Sequence, residues 1–358
     1  MIKNTVLIPS YQPGLSLSLL VQKLKKTGFM HIIVVDDGSG EAYRKYFTFC
    51  EANGAIIVRH EKNMGKGAAL KTGIRAAAEY FPNDTGIVTA DGDGQHLTKD
   101  ILRVSEELSE NPGSLVLGVR DFSGRNVPWR SRFGNRFTSF FFRITNGVRL
   151  SDTQTGLRGF SSTLYDTLLS IEGDRYEYEM HMLEELADIT PFLEMPIETV
   201  YEDNNAGSHF RPVRDSMRVY GKPLRFAASS LLSSVLDILL FWLLLMVLPF
   251  PQAMAITAAT IAARLFSGVA NFLINHYFCF KSSMSLSSTG PRYLILFITQ
   301  MLLSAGFVTL LSTILTNTVI AKMIVDTLLF FASYQAQKHW VFRKKEVNDE
   351  RSKPVLQN

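Results

Sequence analysis

Long apolar runs dominate the C-terminal third of the chain, whereas charged residues are spread throughout the part before about residue 222. Four runs approach the roughly 20 apolar residues that an α-helix needs to cross a bilayer, at 226–248, 253–274, 293–315 and 319–339. The second and fourth are less pure, because they contain Arg264 and Asp326. The pattern predicts an all-α membrane domain with four transmembrane helices at 221–343, followed by a polar tail at 344–358.

The charges beside these runs predict an orientation. The connectors at 249–252 and 316–318 carry no charge, whereas the opposite helix ends are flanked by lysine and arginine: Lys222, Arg225, Lys281, Arg292, Lys338, Arg343, Lys344 and Lys345. Positive residues accumulate on the cytoplasmic side of a membrane. We therefore expect a multi-pass protein of the cell (cytoplasmic) membrane whose N-terminal domain and C-terminus are cytoplasmic.

Short β-branched runs alternate with helical patterns in the N-terminal part. Strands are predicted at 5–9, 31–36, 55–59, 86–90 and 114–119, and helices at 16–26, 41–53, 66–80 and 98–110. This alternation is typical of a parallel sheet covered on both faces by helices, and predicts an α/β domain over residues 1–220. Ligands bind at the carboxyl ends of strands in such sheets.

Charge and cysteine content narrow the function classes. A net charge of +4 is too modest to indicate nucleic-acid binding, and the basic residues cluster near the apolar part, which favours contact with anionic lipid. The two cysteines, Cys50 and Cys279, lie far apart, so a disulfide framework is not expected. The first residues predict a strand rather than a signal peptide.

The segment Thr-Ala-Asp-Gly-Asp-Gly-Gln-His at 89–96, at the end of the fourth predicted strand, carries the strongest chemical signal. Asp91 and Asp93 can hold one hard cation through oxygen ligands, as Mg²⁺ and Mn²⁺ require. A calcium loop is disfavoured because Leu102 stands where a twelve-residue loop needs its closing glutamate. Taken alone, the segment fits a metal site and an ordinary surface turn equally well.

Two further polar turns follow predicted strands. Asp-Asp-Gly-Ser at 36–39 is, by itself, most simply a turn, although an aspartate at a strand end can also bind a base or ribose. Asn-Met-Gly-Lys-Gly-Ala-Ala-Leu at 63–70 places glycines at the start of a helix, where the backbone approaches closely and anions are favoured. It lacks the spacing of a Walker phosphate loop.

In this order, Pro9-Ser10-Tyr11, the Asp-Asp-Gly-Ser turn, the glycine-rich segment and Asp-x-Asp-x-Gln resemble the inverting glycosyltransferases of family 2, most of all the dolichol- or polyprenyl-phosphate sugar transferases. Gly118-Val119-Arg120 and the segment at 152–160 extend the resemblance. It implies an α/β GT-A (Rossmann-like) nucleotide-sugar transferase fold. It also implies transfer, with inversion, from a nucleotide-diphosphate sugar to a polyprenyl phosphate such as undecaprenyl phosphate, for cell-envelope glycosylation.

The resemblance also implies roles for individual residues. The donor would contact Pro9, Tyr11, Val35, Asp37, Lys66, Asp91, Gly92, Asp93 and Arg211. Mg²⁺ or Mn²⁺ would be held by Asp91, Asp93 and Gln95, and the acceptor phosphate by Arg120 and Arg132, so that Asp91, Asp93 and Arg120 would be catalytic. The family often has an acidic residue where this chain has Pro13, so the donor base stays open.

The ends of the second and fourth apolar runs, at 271–281 and 333–343, share aromatic, amide and basic residues in step. The match predicts two helix hairpins built as an internal repeat, although such residues also recur at membrane edges by themselves. Asn-Phe-x-x-Asn-x-x-x-x-Phe at 271–280 resembles the GtrA-like membrane domains, which implies a role beside lipid-linked sugars. The same domain could also mediate a homo-oligomer.

Charged and basic residues suggest further membrane contacts. Asp237 and Arg264 lie at similar predicted depths and are expected to pair, with Asp326 at the repeat position of Arg264, as either a structural ion pair or a polar headgroup site. The Arg- and Phe-rich segment at 125–149 is predicted to be an interfacial helix rather than one that packs its phenylalanines on the sheet. A basic stripe follows at Arg211, Arg214, Arg218, Lys222 and Arg225.

Two other function classes are weighed against a lipid-directed transferase. A processive polysaccharide synthase would carry Gln-x-x-Arg-Trp in the catalytic domain, and this domain has none. The second is a lipid-linked sugar flippase or anchor with a non-catalytic transferase domain. A degenerate transferase that only anchors a partner would be expected to have a damaged metal motif, whereas Asp91, Asp93 and Gln95 are all present. A flippase made of the four spans could also coexist with catalysis in one chain.

Overall fold

A computed structural model describes residues 3–122, 129–198, 221–249, 251–315 and 317–342. The chain divides into two compact units, Met1–Val219 and Tyr220–Asn358.

The first unit is built on a seven-stranded sheet with the order β3-β2-β1-β4-β6-β5-β7. Its strands are β1 Asn4–Ser10, β2 Ile32–Asp36, β3 Ile56–Arg59, β4 Gly86–Thr89, β5 Leu115–Arg120, β6 Arg158–Ser161 and β7 Phe192–Ile197. Its helices are α1 Leu15–Thr27, α2 Arg44–Ala52, α3 Lys66–Tyr80, α4 Thr98–Glu110, α5 Trp129–Asn146, α6 Tyr165–Ser170 and α7 Glu177–Leu186.

The five predicted strands run parallel to one another, as expected, but the sheet is mixed, because β6, which was not predicted, runs antiparallel to both of its neighbours, β4 and β5. The segment before β6 is held at the carboxyl ends of those neighbours. Thr155 Oγ1 donates to the Gly118 carbonyl at 2.6 Å, and Thr89 Oγ1 donates to the Gly156 carbonyl at 2.7 Å. A strand that starts at this edge must run back through the sheet in the opposite direction.

Both faces of the sheet are buried, as expected for strands covered by helices on each side. Alternate residues of β1 and β2 belong to different clusters: Leu7 and Ile33 face one of them, whereas Val6 and Ile32 face the other. Helices α3, α6 and α7 cover the first face, and α1, α2 and α4 cover the second. The sheet therefore exposes mainly its strand ends for chemistry.

The second unit is helical. Its helices are α8 Gly221–Val247, α9 Gln252–Ile274, α10 Leu286–Ser312 and α11 Thr318–Ala336, and π-helical turns follow α9 at Asn275–Cys279 and α11 at Gln337–Val341. Within the described residues, three segments are long and apolar enough to cross a membrane: Leu224–Val247, Ala258–Cys279 and Leu286–Leu311. Helix α11 corresponds to the fourth predicted span and is not among those three.

The two helix hairpins, α8–α9 and α10–α11, each have a polar cross-link between their helices, made by different side chains. In the first, Asn271 Nδ2 donates to Ser233 Oγ at 3.1 Å, and in the second, Ser333 Oγ donates to Gln300 Oε1 at 3.2 Å. Asn271 and Ser333 are equivalent in the sequence match, and each lies one turn before a π-helical turn. The geometry thus supports the expected internal repeat.

Each hairpin also has an aspartate that accepts a hydrogen bond from a serine on its partner helix. Arg264 Nε lies 3.8 Å from Asp237 Oδ1, so the expected contact between these residues is present, and Ser267 Oγ donates to the same carboxylate oxygen at 3.0 Å. Asp326, in the other hairpin, accepts a hydrogen bond from Ser304 Oγ at 3.0 Å. Each hairpin therefore places one hydroxyl-bonded aspartate within its apolar helices.

Candidate active site

The polar turns seen in the sequence meet at one edge of the sheet. Strands β1, β2 and β4 are parallel neighbours, with Ser10 beside Asp36 and Leu7 beside Thr89. The backbone N–H of Asp37 donates to the Ser10 carbonyl at 2.9 Å, which ties the first two turns together. Parallel strands necessarily bring their carboxyl ends to one side, where ligands of such sheets bind.

The Asp91–Gln95 segment forms a closed loop after β4. Asp93 Oδ1 accepts a hydrogen bond from the Gln95 N–H at 3.0 Å, and the Asp91 N–H donates to His96 Nδ1 at 3.0 Å. His96 is buried, and burial lowers its pKa against the opposing effect of Asp91 and Asp93. The loop is therefore shaped by its own side chains, including a histidine that the sequence analysis did not single out.

Asp91 lies beside a lysine and a glycine. Lys66 Nζ is 2.7 Å from Asp91 Oδ1, and a Cβ added to Gly156 would overlap Asp91 Oδ2. Burial is the largest single influence on Asp91 and would raise its pKa, but Lys66, with smaller contributions from His96 and Arg120, outweighs burial and lowers the pKa to about 2. Burial and the charge of Asp91 raise the pKa of Asp93. The carboxylate of Asp91 is thus ionised and already paired with the ammonium group of Lys66.

The side chains of this loop fit a hard cation. Asp91 and Asp93 supply carboxylate oxygens and Gln95 an amide oxygen, the donors that Mg²⁺ and Mn²⁺ prefer, with no thiolate among them. Across the described residues, no group of three or more His, Cys, Asp and Glu side chains is placed to hold a metal. A cation here would therefore depend on the glutamine and on oxygens from a substrate.

Two of the residues expected to contact the nucleoside, Val35 and Asp37, are engaged within the protein itself. Val35 is fully buried in the core, so only its backbone can contact a ligand. Asp37 accepts hydrogen bonds from the Met64 and Gly65 N–H groups, both at 2.8 Å, and contacts His60 Nδ1 at 2.8 Å. Its carboxylate therefore holds the start of the glycine-rich segment, a task that the sequence did not suggest.

Other predicted donor contacts stand at the strand ends. Pro9 is half-buried in β1, Tyr11 follows that strand and accepts a hydrogen bond from Gln12 Nε2 at 3.1 Å, and Gly92 is half-buried between the two aspartates. Arg211 and the neighbouring basic residues up to Arg218 lie outside the described residues.

The glycines of the 63–70 segment serve close packing. A Cβ on Gly65 would overlap the Asp174 carbonyl, and a Cβ on Gly67 would lie 2.5 Å from Tyr178 Cβ. Gly65 also has φ +111°, which other residues rarely adopt. The start of α3 is thereby pressed onto the start of α7, and this contact fixes the position of Lys66.

Arg120, predicted to bind the acceptor phosphate, ends β5 in an ion pair with Asp152. Its Nε lies 2.7 Å from Asp152 Oδ2 and its Nη2 lies 3.1 Å from Asp152 Oδ1, and Asp152 is fully buried. This bidentate contact holds the guanidinium rigidly. The positive charge of Arg120 also helps to lower the pKa of Asp91. Arg132 lies on α5 and is half-buried.

Helix α5 combines the two alternatives considered for it. Phe142 is buried in the core of the first unit, whereas Phe133 and Phe140 are exposed. Arg136 and Arg143 are also exposed. Among its described side chains, the helix thus packs on the domain through Phe142 and presents Phe133 and Phe140, with arginines, to its surroundings.

Glu179 and Arg158 complete the site. Arg158 lies in the segment at 152–160 that extends the family resemblance, but no role was expected of it, and no local pattern pointed to Glu179. Glu179 Oε1 lies 3.0 Å from Lys66 Nζ. The buried Arg158 donates to the Glu179 carbonyl at 2.6 Å and to the Thr155 carbonyl at 2.9 Å. Arg158 therefore joins α7 to the segment that carries Gly156.

Comparison with known families assigns both parts of the chain. The Glycosyl transferase family 2 profile matches residues 5–169, and the GtrA/DPMS transmembrane domain profile matches residues 225–342. An uncharacterized protein of Methanocaldococcus jannaschii is 32% identical over 204 residues, covering 55% of this chain and 82% of the relative. The chain belongs to glycosyltransferase family 2. This family 2 transferase is also a membrane protein, since it carries the GtrA/DPMS domain with its apolar helices.

A second relative has a named activity. The UDP-N-acetylglucosamine–dolichyl-phosphate N-acetylglucosaminyltransferase of Methanococcus voltae is 29% identical over 218 residues, which cover 55% of this chain and 86% of the relative.

Solved structures resemble the family 2 transferase more distantly. Glucosyl-3-phosphoglycerate synthase of Mycobacterium tuberculosis superposes with a TM-score of 0.46 at 15% identity, over 62% of this chain and 77% of the other. A mannosyltransferase of Pyrobaculum calidifontis, solved with GDP-Man and Mn²⁺, superposes with a TM-score of 0.40 at 13% identity, over 94% and 87% of the two chains.

The family matches and the observed sheet confirm the expected fold class: a GT-A-like α/β domain is followed by a helical domain.

Proposed function

We propose that this family 2 transferase moves a sugar, with inversion, from a nucleotide-diphosphate sugar to a polyprenyl phosphate. The observation that carries the proposal is the oxygen-donor loop of Asp91, Asp93 and Gln95 at the carboxyl edge of the sheet, in the same chain as a GtrA/DPMS transmembrane domain. The dolichyl-phosphate acceptor in the name of the Methanococcus voltae relative supports this class of acceptor. Undecaprenyl phosphate is the acceptor we expect.

On the donor side, Asp91, Asp93 and Gln95 would hold Mg²⁺ or Mn²⁺. When bound, the cation would act as a Lewis acid that stabilises charge on the departing nucleoside diphosphate. Lys66 places a further positive charge beside Asp91. Both features favour a leaving group that accumulates negative charge as the glycosidic bond breaks.

On the acceptor side, Arg120 would orient the lipid phosphate. A phosphate oxygen forms the new bond to the anomeric carbon, while the bond from that carbon to the diphosphate oxygen breaks and its electron pair leaves with the nucleotide. A phosphate monoester has a second pKa of about 6 and is mostly dianionic at neutral pH, so it needs little help from a general base. One displacement of this kind inverts the anomeric configuration.

We also propose the orientation indicated by the flanking charges, with the transferase domain and the C-terminus in the cytoplasm. The nucleotide donor and the phosphate end of the lipid would then be reached from the same side of the cell membrane. The basic residues at the start of α8, including the exposed Arg225, are consistent with this side.

Incubating membranes that contain the protein with radiolabelled UDP-glucose, UDP-N-acetylglucosamine or GDP-mannose tests the function. We expect label from one donor to appear in the lipid extract, in a product that mild acid releases, and to increase with added undecaprenyl phosphate. Membranes with the Asp93→Asn variant serve as the matched control. Label in an insoluble polymer would instead indicate a processive synthase, and no label in any fraction would contradict catalysis.

The acceptor role of Arg120 predicts a selective defect. Because Arg120→Ala alone would leave the buried Asp152 without its cation, the informative variant is Arg120→Gln combined with Asp152→Asn. We expect the KM for lipid phosphate to rise about tenfold or more, the worth of one charge-assisted hydrogen bond. The KM for the donor should change little.

Initial rates measured against each substrate in turn would separate the two effects. Arg59→Gln, at an exposed arginine of β3, is the matched control. A double variant that saturates normally with lipid but binds the donor poorly would move Arg120 to the donor side.

A further inference from the structure

The ammonium group of Lys66 forms an ion pair with Asp91, a carboxylate that the proposed metal site needs. Lys66 Nζ lies 2.7 Å from Asp91 Oδ1 and 3.0 Å from Glu179 Oε1, and all three side chains are largely shielded from solvent. Asp91 cannot turn its other oxygen outward freely, because Oδ2 is packed against Gly156. A cation that binds Asp91 must therefore compete with Lys66.

The position of Lys66 is imposed by the fold. It is the first residue of α3, between Gly65 and Gly67, whose missing side chains allow α3 to pack on residues 174–178. That packing brings the beginning of α7, and with it Glu179, next to the lysine. The hydrogen bond from Arg158 to the Glu179 carbonyl fixes the backbone of α7 at this point. Lys66 and Glu179 thus stay neighbours whatever happens at Asp91.

The charges at the site explain why the carboxylate of Glu179 matters. If only Asp91 paired with Lys66, a metal that displaced the lysine would leave a largely buried ammonium with no counter-charge, at a high cost in free energy. Glu179 removes that cost, because it already contacts the ammonium from the other side. The lysine can therefore leave Asp91 without losing its last ion pair.

We propose that Lys66 is a resident counter-ion of Asp91 that competes with the divalent cation, and that Glu179 is the positioning residue which retains Lys66 when the cation takes its place. This inference rests on the proposed metal site at Asp91 and Asp93. It gives a task to Glu179, which the proposed reaction does not otherwise use. It also makes metal binding without nucleotide weaker than the donor loop alone would allow.

Mn²⁺ binding to the full chain in detergent, without nucleotide, measures this competition. The free ion is followed by its electron paramagnetic resonance signal, so that no turnover is needed. We expect Lys66→Met to tighten Mn²⁺ binding about tenfold, since the competing charge-assisted contact is lost. We expect Glu179→Gln to weaken binding several-fold, because the displaced lysine then has no partner.

The double variant Lys66→Met, Glu179→Gln separates this mechanism from simple attraction through space. If Glu179 acts through Lys66, its replacement should change Mn²⁺ affinity by less than about twofold once the lysine is gone, because the two effects are coupled. If Glu179 attracts or binds the metal directly, its replacement should weaken binding equally in both backgrounds, and the proposal is then wrong. Unchanged or weaker Mn²⁺ binding in Lys66→Met would also overturn it.

The Asp93→Asn variant keeps this test distinct from the test of function. If the wild-type protein binds Mn²⁺ only as weakly as the Asp93→Asn variant does, the proposed metal site itself is wrong. If those two proteins clearly differ in Mn²⁺ affinity but Lys66→Met has no effect on it, only the proposed role of Lys66 is wrong. Thermal unfolding followed by circular dichroism confirms that each variant is folded.

Discussion

Replacing Asp93 by asparagine is expected to reduce transfer to lipid phosphate by about a hundredfold or more, because the loss of one metal-binding charge removes several kcal/mol of transition-state stabilisation. The side chain keeps its shape, and its amide oxygen can still accept the hydrogen bond that Asp93 Oδ1 takes from the Gln95 N–H at 3.0 Å. The loop should therefore persist while its charge is lost. Initial rates at saturating donor and lipid, with Mg²⁺ or Mn²⁺ added, measure the effect.

Asp174→Asn is the matched control, since the exposed side chain of Asp174 pairs with Lys71 at 3.0 Å and is not part of the Asp91–Gln95 loop. It should keep nearly full activity. EDTA should abolish transfer by the wild-type protein, and excess Mg²⁺ or Mn²⁺ should restore it. Full activity in EDTA, or in Asp93→Asn, would show that no cation at this loop takes part.

Gly156→Ala should also disable the enzyme, by displacing Asp91 rather than by changing its charge. A Cβ at this position would overlap Asp91 Oδ2 and lie 2.9 Å from the carboxylate carbon. Gly156 is not among the glycines with positive φ, so alanine suits its backbone and the strain falls on the contact. Because a misplacement of about 1 Å can cost about a hundredfold in rate, we expect a loss of that order in kcat.

The same variant should bind Mn²⁺ more weakly, and overpacking should lower the free energy of unfolding by about 1–3 kcal/mol. Gly113→Ala is the control, because a Cβ there meets no atom within 4 Å. Denaturant unfolding and Mn²⁺ titration distinguish a local displacement from a general loss of fold. Normal kcat and Mn²⁺ affinity in a folded Gly156→Ala protein would show that the position of Asp91 is not critical.

Local patterns were sufficient for most elements of the first unit. Helices α3 and α4 begin and end where the helical pattern does, because their apolar faces are long and regular. Strands β6 and β7 were missed for physical reasons. Strand β6 has four residues, among them a buried arginine, and β7 contains Pro196, so neither carries the alternation that marks a strand.

In the second unit, the repeated polar pattern predicted paired hairpins, but the hydrogen bonds that join them depend on packing. Asn275 Nδ2 donates to Gln337 Oε1 at 3.0 Å, which links the two π-helical turns across the domain. In sequence, both residues are merely amides near membrane ends. Only the association of the helices makes them partners.

The sequence by itself determined that Asp91, Asp93 and Gln95 form one oxygen-donor loop, because residues two apart on a short turn must stay close whatever the fold. It also determined that the C-terminal part is apolar enough for a membrane. Only the tertiary structure decided what surrounds Asp91. Lys66, Gly156 and Glu179 come from three separate segments, and they meet because an antiparallel β6 and the glycine packing of α3 on α7 bring them to the end of β4. Contacts of this kind depend on strand order and on close packing between distant segments, which no local pattern of residues encodes.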